Sequence, residues 1–247
     1  MFNHIGHFIH ESLGRLWISR VLEFRDVDIY MSFEFGLPNS DSFIWTLLSS
    51  LGIPHTRIKR LTGNTYFKKI LVPNAVFAMG LNINTTRFFS DFISSNYLSC
   101  LISSEFLNRN IIVSRAALPD DKGKPIQLND FDSYMADKYK AIVFYPEQNS
   151  IPAQIAAYNS AKSLVFIEGS ALYLLLFCKR NFDRTIYIIA RRKSSGWFLE
   201  LMKNIYPCNW VYVDAVVDVP FARGGFNDNS LIDWSLVKSE LIRHKFE

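Results

Sequence analysis

Three runs decide the fold of this chain: Ile111-Ile112-Val113-Ser114-Arg115, Ala141-Ile142-Val143-Phe144-Tyr145 and Ser163-Leu164-Val165-Phe166-Ile167. Each is a short β-rich apolar run bounded by polar or turn residues, the pattern of a strand covered on both faces. Between them Gln127 to Tyr139 and Pro152 to Lys162 read as helices, the second with proline at a tolerated first-turn position. Strand–helix–strand alternation predicts a parallel sheet. Such sheets hold ligands at the carboxyl ends of their strands. Those ends carry Arg115, then Pro146-Glu147, then Glu168-Gly169-Ser170. A cation, a carboxylate and a glycine-serine turn opening a helix suit a phosphorylated, hydroxyl-rich ligand.

Outward from this centre, residues 3–22 read as a helix. On a wheel of about 100° per residue, Ile5, Ile9, Leu13 and Leu16 share one face, and His4, His7, Glu11 and Gly14 the opposite one. Asp28 to Phe33 reads as a strand, Ser40 to Leu51 as a helix, and His55 to Pro73 as two short strands broken at Thr62-Gly63-Asn64. Residues 85–108 look helical and lead into a second domain. After the central stretch come a strand from Arg184 to Arg191, a helix from Ser194 to Tyr206, a strand from Trp210 to Val217 and a closing helix from Leu231 to His244. Pro220 to Asn229 is a Gly- and Asn-rich loop.

The 247 residues are 49% hydrophobic and 15% aromatic, ample for buried cores in one large or two small domains. The formal charge of +4 is unevenly spread: residues 106–195 hold 13 Lys and Arg against 8 Asp and Glu. That surplus suits an anionic ligand and is too small for a nucleic-acid footprint. Cys100, Cys178 and Cys208 lack metal-type spacing, and their odd number argues against a disulfide framework, so a reducing cytoplasm is expected. Met1-Phe2-Asn3-His4 opens without the basic start and apolar core of a signal peptide. The most apolar stretch, Ala171 to Cys178, is far too short to span a bilayer.

Several residues admit more than one reading. His4, His7, His10 and Glu11 could hold a metal, line a catalytic wall or form a solvated stripe; no further donor stands out to complete a metal site. Asp130-Phe131-Asp132 matches a metal-binding D-x-D, yet it falls at a helix start, where Asn129 or Asp130 would serve as the cap, and the cap reading is preferred. Arg115 is either a surface charge or a phosphate ligand. A carboxylate at Glu168, directly after an apolar strand, is costly to bury without donors, and a sugar diol would supply two. Ser170 and the amides after it could bring a helix N-terminus to a diphosphate. No G-x-G-x-x-G, phosphate-loop or G-x-S-x-G motif is present, which excludes the common dinucleotide, triphosphatase and serine-hydrolase signatures.

The order Val113-Ser114-Arg115, Asn129-Asp130, Pro146-Glu147, Gln154, Ala161-Lys162 and Glu168-Gly169-Ser170-Ala171 resembles glycosyltransferase family 61. That family's pattern runs I-S-R, N-E, P-E, E-Q, A-x-x-I-V-G and H/E-G-[AS]-[AG]-L. The stretch from Asn3 through His7 to Glu11 is similar to its other segment, a G-H-[FW]-x-x-[ED] helix start. Two departures stand out: the second basic residue before N-E appears as Lys122 or Lys124, and Ala153 occupies a position where Glu is usual.

The resemblance implies an α/β protein of two Rossmann-like halves in the two-lobed (GT-B) glycosyltransferase architecture, with a shortened amino-terminal half. Residues 1–105 would form the acceptor side, 106–195 the nucleotide-sugar domain, and 196–247 a segment completing the fold. The implied activity is inverting sugar transfer from a nucleotide-sugar, UDP-sugar first, to a glycan or lipid-linked acceptor in bacterial capsular or surface-polysaccharide synthesis. His7, or failing that Glu11, would take the acceptor proton. Arg115, helped by Lys124 and the helix after Ser170, would stabilise the leaving diphosphate, and Glu168, beside Gly169, would orient ribose or donor sugar. No metal, cofactor or nucleic acid is expected. The protein is expected in the cytoplasm, in peripheral association with the inner face of the membrane. The competing reading is a non-catalytic relative that binds a glycan or a partner enzyme.

Overall fold

The computed structural model describes residues 5–32, 38–74, 83–119, 122–192, 196–218 and 229–246. The chain divides into two compact units, residues 1–99 and 100–247. In the first, residues 5–20 are helical but not one regular helix. A single turn, α1 (Ile5–His7), continues as a π turn over Phe8–Ser12, closed by the Leu13 N–H donating to the Phe8 carbonyl, and then tightens into a 3-10 helix, Leu13–Arg20. Three pitches in succession defeat a single wheel. Ile9, Leu13 and Leu16 are buried as the wheel requires, but so are Phe8 and Gly14.

β1 (Ile29–Met31) pairs in parallel with β2 (Ile58–Arg60). Between them α2 (Phe43–Ser50) starts at Ser42, whose hydroxyl accepts from the Ile44 N–H, and it buries Ile44, Leu47 and Leu48. Arg20 fastens the unit: it donates to the Leu51 carbonyl at 2.9 Å and to Ser95 Oγ at 2.7 Å, and lies over the Phe92 ring of α3 (Ile83–Ser94). The second strand expected before Pro73 does not form. Residues 61–74 run without helix or strand, and Tyr66, Ile70, Leu71 and Val72 are exposed, so this apolar run has no sheet to join. The helix expected over 85–108 ends at Ser94 and gives way to a 3-10 turn, Tyr97–Cys100, and further turns.

The second unit is built on the predicted sheet. β3 (Asn110–Val113), β4 (Ile142–Phe144), β5 (Ser163–Ile167), β6 (Thr185–Ile189) and β7 (Asn209–Val213) form one five-stranded sheet in the order β4-β3-β5-β6-β7, parallel throughout. β3 and β5 are buried at every residue because both faces are covered. On one face Ile112, Val165 and Tyr187 pack with Leu128, Phe131 and Met135 of α4 (Leu128–Tyr139) and Val237 and Leu241 of α7 (Trp234–Arg243). The Phe131 and Trp234 rings stack at 4.5 Å. Tyr158, on α5 (Ile151–Ser160), meets Phe144 and Phe166 edge-on. α6 (Gly196–Ile205) links β6 to β7.

The strand expected from Trp210 to Val217 breaks into β7 and β8 (Val216–Asp218). β8 pairs antiparallel with β9 (Leu231–Ile232), residues expected to begin the last helix. Asp233 explains the late start of α7, because its carboxylate accepts from the Ser235 and Leu236 N–H groups as an N-cap. Most of the Pro220–Asn229 loop lies outside the described residues. Among the described residues no helix is long and apolar enough to cross a membrane.

Candidate functional site

The chain leaves β3 in one direction to make β4, then returns past β3 to make β5. That reversal is a topological switch point, where open α/β sheets form a crevice at the carboxyl ends of the strands. Two predicted site residues meet there. Arg115 lies two residues beyond β3, and Gly169 two residues beyond β5, with Val113 opposite Phe166 in the register between them. The contact is close enough that a Cβ built on Gly169 would collide with Nη1 of Arg115. Gly169 has extended backbone (φ 175°), so a side chain here would displace the end of Arg115 rather than strain the backbone.

Beside them Glu168 is 6% exposed. Its carboxylate accepts from the Arg191 N–H at 3.0 Å and lies 3.6 Å from Nη2 of Arg192. The donors expected from a bound diol are therefore protein groups, and the buried charge is balanced within the fold. Arg191 and Arg192 follow β6 at the same edge, so the crevice gathers guanidinium groups from two strand ends, those of β3 and β6. Burial holds the Arg115 guanidinium below its ordinary value; Glu147 and Glu168 oppose that shift and Arg192 adds to it. Burial likewise raises the Tyr173 phenol, and Glu168 raises it further.

The loop after Arg115 folds back to hold it. Arg115 donates through Nε to the Gly123 carbonyl at 3.4 Å and through Nη2 to the Lys122 carbonyl. Gly123 has φ +65°, a left-handed turn that suits glycine. This loop is stitched to β9: Ile126 N–H donates to the Ser230 carbonyl, Ser230 N–H to the Lys124 carbonyl, and Lys124 N–H to Asn229 Oδ1. Lys124 Nζ itself donates to the Ala116 carbonyl at 3.3 Å. On the other flank Gln154 is buried and donates from one amide nitrogen to the carbonyls of Pro146 and Asn149, pinning the turn that carries exposed Glu147. A carboxylate could not make either bond.

Ser170 opens a 3-10 helix, Ser170–Phe177, rather than an α-helix; the Leu172 N–H already donates to the Gly169 carbonyl, which leaves the N–H groups of Ser170 and Ala171 as those with no partner within the helix. Asp130-Phe131-Asp132 is neither a cap nor a chelating pair. The N-cap of α4 is Gln127, in left-handed conformation without a side-chain bond, and Asn129 and Asp130 lie inside the first turn. Asp130 is exposed while Asp132 is buried. Oδ2 of Asp132 accepts from the Ser114 hydroxyl at 2.6 Å, and Oδ1 has no hydrogen-bond partner among the described residues. Burial pushes this carboxyl up to about 7, although the Ser114 bond opposes the shift.

The crevice thus brings together Arg115, Glu168, Gly169 and Ser170, with Lys124 on the loop behind. His7 and Glu11 belong to the other unit. His7 is exposed at the end of α1, and the side chain of Glu11 lies outside those described. Sequence reasoning missed Arg191, Arg192 and the Ser114–Asp132 pair. The available signal was a basic run placed directly after an apolar strand. Among the described residues no cluster of His, Cys, Asp or Glu could hold a metal ion.

No curated protein matches the chain. A family model described as glycosyltransferase 61 matches residues 5–187, which takes in both the amino-terminal His7 segment and the crevice residues from Arg115 to Ser170. On that match, spanning well over half of its length, the chain belongs to glycosyltransferase family 61.

Proposed function

We propose that this protein transfers a sugar from a nucleotide-sugar, UDP-sugar first, to a glycan or lipid-linked acceptor in bacterial capsular or surface-polysaccharide synthesis, working in the cytoplasm at the inner face of the membrane. The observation that carries the donor part is the placing of Arg115 beside Arg192 at the switch point, where burial above all, and Arg192 in addition, disfavour the Arg115 charge. A diphosphate favours that charge and accepts charge-assisted bonds. Glu168 keeps Arg192 oriented toward it, and the N–H groups after Gly169 add a helix start. Lys124 supports the loop that holds Arg115. In this reading the architecture is two-lobed, with residues 1–105 on the acceptor side, 106–195 holding the donor and 196–247 completing the fold.

The reaction is a single displacement. The acceptor oxygen attacks the anomeric carbon, the bond to the diphosphate oxygen breaks with inversion, and that pair of electrons leaves on the diphosphate. His7 or Glu11 takes the acceptor proton, a role worth roughly 10²–10⁴ in rate. Cations at the leaving group substitute for a divalent metal. The test is calorimetric titration with UDP alongside nucleotide release from UDP-sugars. Binding by the native protein, and turnover lowered about two to four orders of magnitude by His7→Ala at unchanged UDP affinity, are expected. Absence of binding to any nucleoside diphosphate would sink the donor assignment.

A further inference from the structure

The chain from Leu61 to Asn74 is irregular yet held at both ends. At its start Thr65 Oγ1 donates to the Thr62 carbonyl at 2.6 Å, and the Phe67 ring packs edge-on against Tyr30 of β1 at 4.8 Å. At its end the carbonyls of Pro73 and Asn74 accept from Arg15 at 2.8 Å and from Trp17 at 3.0 Å, both on the helix that ends at Arg20. Between these clasps stand Tyr66, 92% exposed, and Ile70, Leu71 and Val72, exposed by 59, 52 and 73%. Four large apolar side chains are thus held out into solvent by a loop whose ends are fastened.

Charge identifies what meets them. No Asp or Glu occurs between Asp41 and Asp91, while Arg57, Lys59, Arg60, Lys68, Lys69 and Arg87 all fall in that span. Lys59 and Arg60 are exposed on β2, and Lys68 and Lys69 are exposed in the loop itself, directly before Ile70. Among the described residues none of these four pairs with a carboxylate. Lysine is depleted in the buried centres of protein interfaces. Lysine beside exposed aromatic and aliphatic residues is the composition of a segment lying in the headgroup layer of a membrane. The exposed loop that carries Tyr66, Lys68, Lys69, Ile70 and Val72, packed through Phe67 on Tyr30, whose strand partner is Lys59, is, we propose, a contact site for a bilayer rich in anionic lipid: the lysines meet lipid phosphates and the apolar side chains enter the acyl boundary. This deepens the membrane part of the reading above, and its test contains no sugar donor, so the two stand or fall separately.

The test is cosedimentation of the full chain with vesicles of phosphatidylcholine alone, and of phosphatidylcholine with phosphatidylglycerol. Binding to the anionic vesicles, weakened by salt, is expected. Each lysine near the surface contributes about five-fold, so Lys68→Ala with Lys69→Ala should lower partitioning about 25-fold. Ile70→Ser with Val72→Ser should lower it about ten-fold or more. These side chains are exposed, so both variants should keep the native circular dichroism, and their UDP affinity should be that of the native chain. Three outcomes would overturn the assignment: no cosedimentation, binding that neither variant weakens, or a solution dimer that the Ile70/Val72 variant converts to monomer while vesicles capture nothing.

Discussion

At the amino edge of the five-stranded sheet Arg184 lies 5% exposed just before β6, and its guanidinium donates to the carbonyls of Tyr158 and Asn159 at the end of α5. At the carboxyl edge Arg115 also bonds to carbonyls, but burial disfavours its charge; Glu147 and Glu168 favour that charge and Arg192 opposes it. The first arginine completes a helix terminus, where partial negative charge gathers. The second lies in a crevice of mixed charge, where Glu168 stands beside Arg192 and Glu147 acts on Arg115. An arginine among neutral acceptors serves the fold, whereas the role proposed for Arg115 at the switch point is to meet an anion.

If that contrast is sound, the two edges should fail differently. The largest effect belongs to the amino edge. Arg184→Met removes two charge-assisted bonds and should cost roughly 3 kcal/mol or more, lowering Tm by roughly 6–12 °C in a domain of this size, with nucleotide affinity intact in the protein that remains folded. A thermal melt at unchanged Tm would make this edge as dispensable as a surface. At the carboxyl edge Arg115→Ala should leave Tm nearly unchanged and weaken UDP binding about 10- to 150-fold, the worth of a charge-assisted phosphate contact. Titration calorimetry separates the two, and equal affinity would return Arg115 to the surface charges.

Asp132 sharpens the contrast through pH. Its carboxyl titrates at about 7 when folded and 3.8 as its reference, so the folded protein holds one extra proton between those values. Stability is therefore fullest below about pH 4 and falls as pH rises toward 7, by at most about 1.4 kcal/mol per unit from this group. Asp132→Asn should remove that slope in urea unfolding measured at pH 5 and 8; a slope identical to the native protein's would mean that the carboxylate is charged throughout. The smallest effect is expected from Gly169→Ala. Its methyl displaces only the flexible end of Arg115, so UDP affinity should fall about three- to ten-fold at constant Tm.

Much of the carboxyl-terminal unit was legible because β3, β4, β5 and β6 are each an apolar run closed by a polar residue, and strand ends of that kind point to Arg115 and Glu168 without further help. Arg191 and Arg192 were not, since two arginines after a strand look like any solvated charges until the sheet order brings β6 next to β5. Asp132 carries no local mark of burial: it stands two residues after exposed Asp130 in the same helix. β9 is two residues long and has no period to detect. The first helix misled for a different reason, because π and 3-10 turns over residues 8–20 rotate the chain by amounts that no single wheel follows. The run from Tyr66 to Val72 has strand-like composition, and what it lacks is a neighbour.

The seam between β3 and β5 also bears on how the chain reaches its native state. Asn110 pairs with Ser163 across 53 residues of chain, whereas the other pairings of the five-stranded sheet join partners 31 apart (Ile111 and Ile142), 22 apart (Ser163 and Thr185) and 24 apart (Thr185 and Asn209). Distant pairings are the slow ones to assemble. A molecule held at this seam finds no complete binding surface until the longest-range closure in the sheet has been made. It should therefore leave the refolding rate where it was and act wholly as a brake on unfolding.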